Sequence, residues 1–269
     1  MPDVVRLEYR NVTMRFKEAH GRGLLTAVRG VSFSIRDGEV VSLIGPSGCG
    51  KSTLLNIGSG LAAPSEGLVL VDGERVEGPN AQVAFMLQKD LLLPWRTVAG
   101  NVMFGVEIQG VPAAECRRRA QSLLANFNLG EFSRHYPHQL SGGMRQRVAL
   151  ARTLAVDPHV LLLDEPFSAV DAQTRMVLQR DLAQTLKKAG KTALLITHDL
   201  AEAVTLSDRV LVMSQRPGTI IDEIVIDMPQ RDNPIARRHD PKTNDYVARL
   251  MDRLDIAHAS LERQAGGAA

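Results

Sequence analysis

The 269-residue chain predicts an α/β fold: a mostly parallel core sheet, an antiparallel β portion before it, and a helical segment inserted into it. Three observations lead there. A short apolar run, Val40-Val41-Ser42-Leu43-Ile44, feeds the glycine-rich turn Gly45-Pro46-Ser47-Gly48-Cys49-Gly50-Lys51-Ser52-Thr53, which opens into helix-like sequence. After Val160, short continuous apolar runs alternate with helical spacing, the pattern of a parallel sheet covered on both faces. Between about 95 and 155, β-rich runs disappear and helical spacing dominates.

In chain order, Val4 to Tyr9 and Val12 to Phe16 read as β, followed by a polar loop through Gly21-Arg22-Gly23 and an alternating strand from Val31 to Ile35. Asp37-Gly38 and Asp72-Gly73 are hairpin-turn signals. Leu68 to Val71 and Gln82 to Leu87 supply two more strands, and Pro94 and Pro137 punctuate the helical insertion. Within that insertion helices are expected over Ala113–Phe127 and Arg145–Ala155. The alternation then resumes: a strand at Val160–Leu163, a helix over Ala172–Ala189, a strand at Thr192–Ile196 and a short helix through Glu202. Val210–Met213 and Ile220–Ile226 complete the strands. Tyr246, Val247, Leu250, Met251 and Leu254 have the spacing of one packed helix, and Gln264 to Ala269 is expected to fray. This divides the chain into residues 1–235, with a helical subdomain at about 95–155, and a C-terminal helix and tail at 236–269.

Composition narrows the possible functions. A net charge of +2 and the lack of a dense basic block with stacking aromatics argue against nucleic acid as a partner. Arg117-Arg118-Arg119 reads as a solvated helix face. The start at Met1-Pro2-Asp3 has no basic and apolar leader, and no run is long enough to cross a bilayer, so any membrane portion is expected on another chain. His135 and His138 flank Pro137 and are not expected to hold a metal; Asp222 and Glu223 read as plain surface. The two cysteines, Cys49 and Cys116, fit a reducing compartment. Cys49, at a helix start among backbone N–H groups, is expected to favour its thiolate.

The turn from Gly45 to Thr53 fits the phosphate-loop pattern G-x-x-x-x-G-K-[ST]. Its glycines let the backbone curl around an anion, and the following helix aims free N–H groups and its dipole at the phosphates. Lys51 is placed for the β- and γ-phosphates and the Ser52 hydroxyl for Mg²⁺, so the chain is expected to hold a nucleoside triphosphate. A second apolar strand ends in Asp164-Glu165, and in a parallel sheet such ends line the ligand crevice. Asp164 suits the Mg²⁺ shell, directly or through water, and Glu165 suits a general base on an attacking water. Ser141-Gly142-Gly143, before the helix that follows, makes a second anion-binding helix start. Since a nucleotide has one set of phosphates, two such sites invite two chains facing each other.

These stretches together resemble the ATP-binding-cassette (ABC) ATPases from about Val4 to Pro229, which implies a P-loop NTPase fold, ATP and Mg²⁺ as ligands, and ATP hydrolysis. The resemblance makes Gly45–Thr53 (including Pro46, Ser47, Gly48, Cys49 and Gly50) the Walker A loop, Val160–Glu165 the Walker B strand, and Leu140–Met144 the signature motif. It implies that Phe16 stacks on adenine, that Gln88 touches Mg²⁺ and water, that Asp171 in Ser168-Ala169-Val170-Asp171 lies at the dimer interface, and that His198 is the switch histidine. Met144 departs from the glutamine common at that position.

Lys89-Asp90-Leu91-Leu92-Leu93-Pro94-Trp95-Arg96 and Arg216-Pro217-Gly218 are similar to cassettes serving nitrate, sulfonate and taurine importers. That resemblance implies a second ATPase subunit and transmembrane permease subunits as partners. A substrate-binding protein is implied indirectly, with the chain at the cytoplasmic face of the inner membrane. Of the large apolar residues after Gln88, some are expected to pack inside the insertion and Trp95 to line a groove for a permease helix. A lipid-type transporter cassette and a soluble iron–sulfur-assembly ATPase are the alternatives. A binding module without hydrolysis is disfavoured by Glu165.

Overall fold

A computed structural model describes residues 4–17, 23–168 and 170–265, with side chains through residue 255. Strands β1 (Val5–Lys17) and β2 (Leu24–Arg36) pair antiparallel along their length. The sequence suggests a break near Asn11, but the strand runs through it: Asn11 takes a φ of 49°, and the register slips between Tyr9 and Val12. A bulge thus absorbs the irregular residue without ending the pairing. From Asp37-Gly38 the chain enters β3 (Val40–Ile44), and here the hairpin expectation is corrected. Strands β2 and β3 lie in different sheets, so this turn carries the chain from one sheet to the other.

Helix α1 (Lys51–Gly58) follows, then β4 (Glu66–Val71), β5 (Glu74–Arg75) and β6 (Val83–Met86). Asp72-Gly73 does turn β4 into β5 as a hairpin, with Val71 opposite Glu74. The first sheet has four strands in the order β2-β1-β4-β5. Tyr9 at its centre stacks on Phe33, with ring centroids 4.4 Å apart, and its hydroxyl donates to Leu54 O at 2.8 Å. This fastens α1 beneath the sheet, and the bond supplies the partner a buried phenol needs.

The helical insertion contains α2 (Val98–Ile108), α3 (Ala113–Asn126) and α4 (Gly142–Ala155). The core sheet resumes with β7 (Val160–Asp164), α5 (Ala172–Ala189), β8 (Thr192–Ile196), α6 (Leu200–Leu206), β9 (Arg209–Met213) and β10 (Ile220–Val225). Its six strands run β10-β9-β3-β8-β7-β6, parallel except for β10 against β9. Strands β3 and β8 are buried at every position, as strands covered on both faces must be.

Helices α7 (Pro234–His239) and α8 (Lys242–Ala265) finish the chain. Tyr246, Val247, Leu250 and Leu254 of α8 pack on the cluster around Ile44, Val212 and Ile224. Residues 266–269, in the segment expected to fray, lie outside the described residues. Asp222 is half-buried rather than plain surface and pairs with Arg253 of α8 at 2.8 Å, whereas Glu223 is exposed as expected and pairs with Arg209 at 2.7 Å. Among the described residues no helix is long and apolar enough to cross a membrane.

Candidate nucleotide site

Strand β3 ends where the phosphate loop begins, and the backbone of that loop leaves no room for side chains. Gly50, the residue before α1, has a φ of 107°, and a Cβ there would collide with Val28. Helix α1 has no side-chain cap and no acidic residue in its first turn. No side-chain oxygen caps its leading N–H groups, an arrangement suited to phosphate. Lys51 Nζ donates to Gly45 O at 2.7 Å and Pro46 O at 2.9 Å. Those two donors fix the ammonium over the loop, and the third reaches only the Cys49 sulfur at 3.8 Å, a weak acceptor that a phosphate oxygen would displace. Phe16 is exposed opposite its cross-strand partner Leu25, and both line one cleft with Ser47, Gly48, Lys51, Ser52, Thr53 and Glu165.

The thiol expectation for Cys49 is corrected. The residue is 1% exposed, and burial pushes its thiol up despite the nearby Lys51 ammonium. The side chain points inward from the loop, so desolvation of the thiolate outweighs the field of the helix start.

Strand β7 delivers Asp164 and Glu165 to the same edge. The Ser52 hydroxyl hydrogen-bonds the Asp164 carboxyl, which burial pushes up. A hydroxyl and a desolvated carboxylate are hard oxygen donors that fit Mg²⁺, and a divalent cation there would relieve the burial cost. Among the described residues no group of three or more His, Cys, Asp and Glu could hold a metal. The fit is therefore to an ion that takes most ligands from phosphate and water.

Glu165 has a φ of 44°, a left-handed conformation unusual for a non-glycine residue. Its backbone N–H is held by Ile196 O at 3.0 Å. This bend aims the carboxylate at two groups from separate strand ends: Gln88 Nε2 donates to Glu165 Oε2 at 3.1 Å, and His198 Nδ1 lies 3.3 Å from the same oxygen. Residues 77 and 33 positions away in sequence thus meet at one atom.

Ser141, Gly142 and Gly143 do not join this cleft. They start α4, where Gly142 lines a separate groove with Gln88, Asp90, Arg145 and Ser168. Ser141 Oγ accepts from Met144 N at 3.3 Å, so the cap is intact despite the departure at Met144, whose side chain packs on the helical core. Gly143 lies against Thr174 of α5, where a Cβ would collide. Asp171 caps α5 by accepting from Thr174 N at 3.0 Å, which lowers its pKa. Ala169, beside it, lies outside the described residues.

Three further residues escaped sequence reasoning. Asn101 is fully buried and donates to Leu93 O, Arg96 O and Thr97 O while accepting from Leu93 N at 2.7 Å. It thereby holds the segment that presents Trp95, which is 72% exposed, while Leu92 packs inside. Arg216 lines the nucleotide cleft. Glu202, 3% exposed, accepts from Gln179 of α5 at 2.8 Å, and burial pushes its carboxyl up to about 7. Asp199 Oδ1 accepts from Glu202 N at 3.0 Å, so the D-x-x-E spacing of a capping box was the available signal.

The comparisons agree with this geometry. Residues 28–168 match the ABC transporter family model. An uncharacterized ABC transporter ATP-binding protein of Methanocaldococcus jannaschii is 46% identical over 224 residues, covering 83% of both chains. The taurine import ATP-binding protein TauB of Yersinia pestis is 44% identical over 248 residues, 91% of this chain and 95% of that protein. Among solved structures, the dimeric post-hydrolysis ATP-binding cassette MJ0796 bound to ADP and Pi aligns with a TM-score of 0.73 and 32% identity, covering 82% of this chain and 99% of that one. With a phosphate loop, a paired acid strand and a signature helix in this arrangement, the chain belongs to the ABC transporter family, as an ATP-hydrolysing cassette.

Proposed function

We propose that this cassette powers an importer for a small organic or inorganic anion of the nitrate, sulfonate or taurine type. It works as a homodimer beneath transmembrane permease subunits at the cytoplasmic face of the inner membrane, and a substrate-binding protein delivers the cargo. One observation carries the reading. Gln88 bonds the Glu165 carboxylate, and the segment it opens runs directly into exposed Leu91 and Trp95. Movement of a docked permease helix would thus reach the hydrolytic carboxylate through a few residues. A cleft of about 420 Å³ between α2 and α3, lined by Thr97, Met103, Leu124, Arg117 and Arg134 but not by Trp95, suits an apolar helix carrying an acidic residue.

In this mechanism Lys51 and the α1 N–H groups hold the β- and γ-phosphates, and Phe16 stacks on the base. Ser52, Asp164 and Gln88 would hold Mg²⁺, which neutralises phosphate charge when bound. Glu165 takes a proton from the attacking water, and His198, within reach of Glu165 Oε2, orients toward the γ-phosphate. Ser141, Gly142 and Gly143 of a second copy close over the nucleotide, with Asp171 at the interface. Residues 1–235 form the ATP-binding domain in this reading, with 95–155 as its helical arm and 236–269 as its C-terminal helix and tail.

The test is uptake of labelled taurine, an alkanesulfonate and nitrate in cells carrying the chain with its permease, against Trp95→Ala. Uptake of one anion that falls at least tenfold in the variant supports the reading. Lipid transport, or no loss on removing the indole, refutes it.

A further inference from the structure

The nucleotide cleft has a wall beyond the phosphate loop and the acid strand. The segment between β9 and β10 folds back against the phosphate loop. Gly218 N donates to Ala27 O at 2.9 Å, and Arg29 N donates to Gly218 O at 2.9 Å. A side chain on Gly218 would collide with the Cys49 carbonyl. At the crest of this segment, Arg216 Nε and Nη2 donate to Gly48 O at 3.2 and 3.0 Å. Its guanidinium faces the same cleft as Phe16, Ser47, Lys51 and Glu165.

We propose that Arg216 is a further nucleotide-binding residue: it grips the Gly48 carbonyl with one edge and offers its remaining N–H groups to the phosphate chain. This rests on the nucleotide lying in the Lys51 cleft. Two physical points favour a ligand role over a brace alone. A guanidinium carries five N–H donors, and the Gly48 carbonyl engages two of them. Among the described residues Arg216 forms no ion pair with a carboxylate, so none of them neutralises its charge. A planar, permanently charged fork beside an anion-binding turn is matched to a polyphosphate, whereas a neutral amide would serve to brace Gly48.

The experiment is equilibrium binding of a fluorescent ATP analogue with Mg²⁺, and of unmodified adenosine by competition, to the wild type and to Arg216→Ala, Arg216→Gln, Arg216→Lys and Lys51→Ala. The melting temperature of each empty protein is measured alongside. Arg216→Ala is expected to weaken ATP analogue binding about tenfold and leave adenosine competition unchanged. Arg216→Gln should bind as weakly as the alanine variant, because it keeps an N–H for Gly48 O but no charge, and Arg216→Lys should recover part of the loss. Rising salt should narrow the gap between wild type and Arg216→Gln. Wild-type affinity in Arg216→Gln, with Lys51→Ala binding lost, makes Arg216 a brace and overturns the proposal while leaving the cleft intact. Wild-type affinity in Lys51→Ala overturns the cleft assignment itself, and the proposal with it.

Discussion

Helices α1 and α4 both begin with glycine-rich turns, yet they solve the problem of their unpaired N–H groups in opposite ways. Helix α1 has no side-chain cap and no acid in its first turn. Helix α4 is capped by Ser141 Oγ, which accepts from Met144 N. Among α1 to α7 the other helix without a side-chain cap is α3, and it carries Glu115 in its first turn. Among α1 to α7, α1 thus has neither a side-chain cap nor a first-turn acid, and in the proposed site a phosphate would complete its start. Helix α4 has one of its leading N–H groups capped from within. A serine hydroxyl that accepts through a lone pair still has its own hydrogen to give, so α4 can meet a phosphate already held elsewhere. In the proposed mechanism one helix start binds the nucleotide, and the other recognises what has been bound.

The sharpest way to break this comparison is to stop the chemistry and count the chains. Glu165→Gln should lower turnover by about 10²–10⁴-fold while ATP binding at α1 persists. With ATP the variant should elute as a dimer, and addition of Ser141→Arg should return it to monomer. Persistence of the dimer would mean that α4 does not close over a partner's nucleotide. Ser141→Asp sharpens the comparison further, because an aspartate caps α4 as well as serine does but has no hydrogen to donate and repels phosphate. In the Glu165→Gln background it should abolish the ATP dimer while the folded stability stays within about 0.5 kcal/mol. Persistence of the ATP dimer in Ser141→Asp would show that capping is the whole role of Ser141.

These differences also mark what a sequence can disclose. The α1 start was legible because phosphate binding needs glycines and a lysine at fixed spacing, and local backbone geometry enforces that spacing. The core strands were legible for a similar reason, since burial on both faces demands unbroken apolar runs such as Val160 to Leu163. Long-range meetings were not legible from spacing. Gln88, Glu165 and His198 meet at one oxygen only because β6, β7 and β8 are adjacent in the sheet, and strand order leaves no mark on any one segment. Family resemblance supplied those residues in advance; it marked Arg216-Pro217-Gly218 as well, but gave Arg216 no part at the nucleotide, and its contact with Gly48 crosses 168 positions. The Cys49 expectation failed because helix position predicts the field at a side chain but not the direction in which that side chain points.

A third helix start tests whether capping near the site is structural or tuned. At α6, Asp199 caps the helix one residue after His198, and Glu202 is buried against Gln179 of α5. Arg175 of α5 extends the connection, with Nη1 3.7 Å from Asp199 Oδ2 and Nη2 donating to Val170 O beside Asp171. The Glu202 carboxyl is raised from 4.5 to about 7, chiefly by burial, with Asp199 adding to the rise and Thr197, Gln179 and Arg175 opposing it. Between those two values the native state holds more protons than the unfolded chain, so stability falls as pH rises through this window and levels off above about 7. The full difference corresponds to about 3 kcal/mol. Glu202→Gln should remove that decline, leaving the variant less sensitive than wild type to a change from pH 5 to pH 8 in urea denaturation. Turnover should change only a few-fold, because the amide can still meet Gln179 and Thr197. Equal pH slopes for the two proteins would show that Glu202 is ionised throughout and that α6 is fixed by its aspartate cap alone. A flattened slope accompanied by a shifted pH–rate profile would instead tie the protonation of this buried carboxyl to the placing of His198 above the nucleotide.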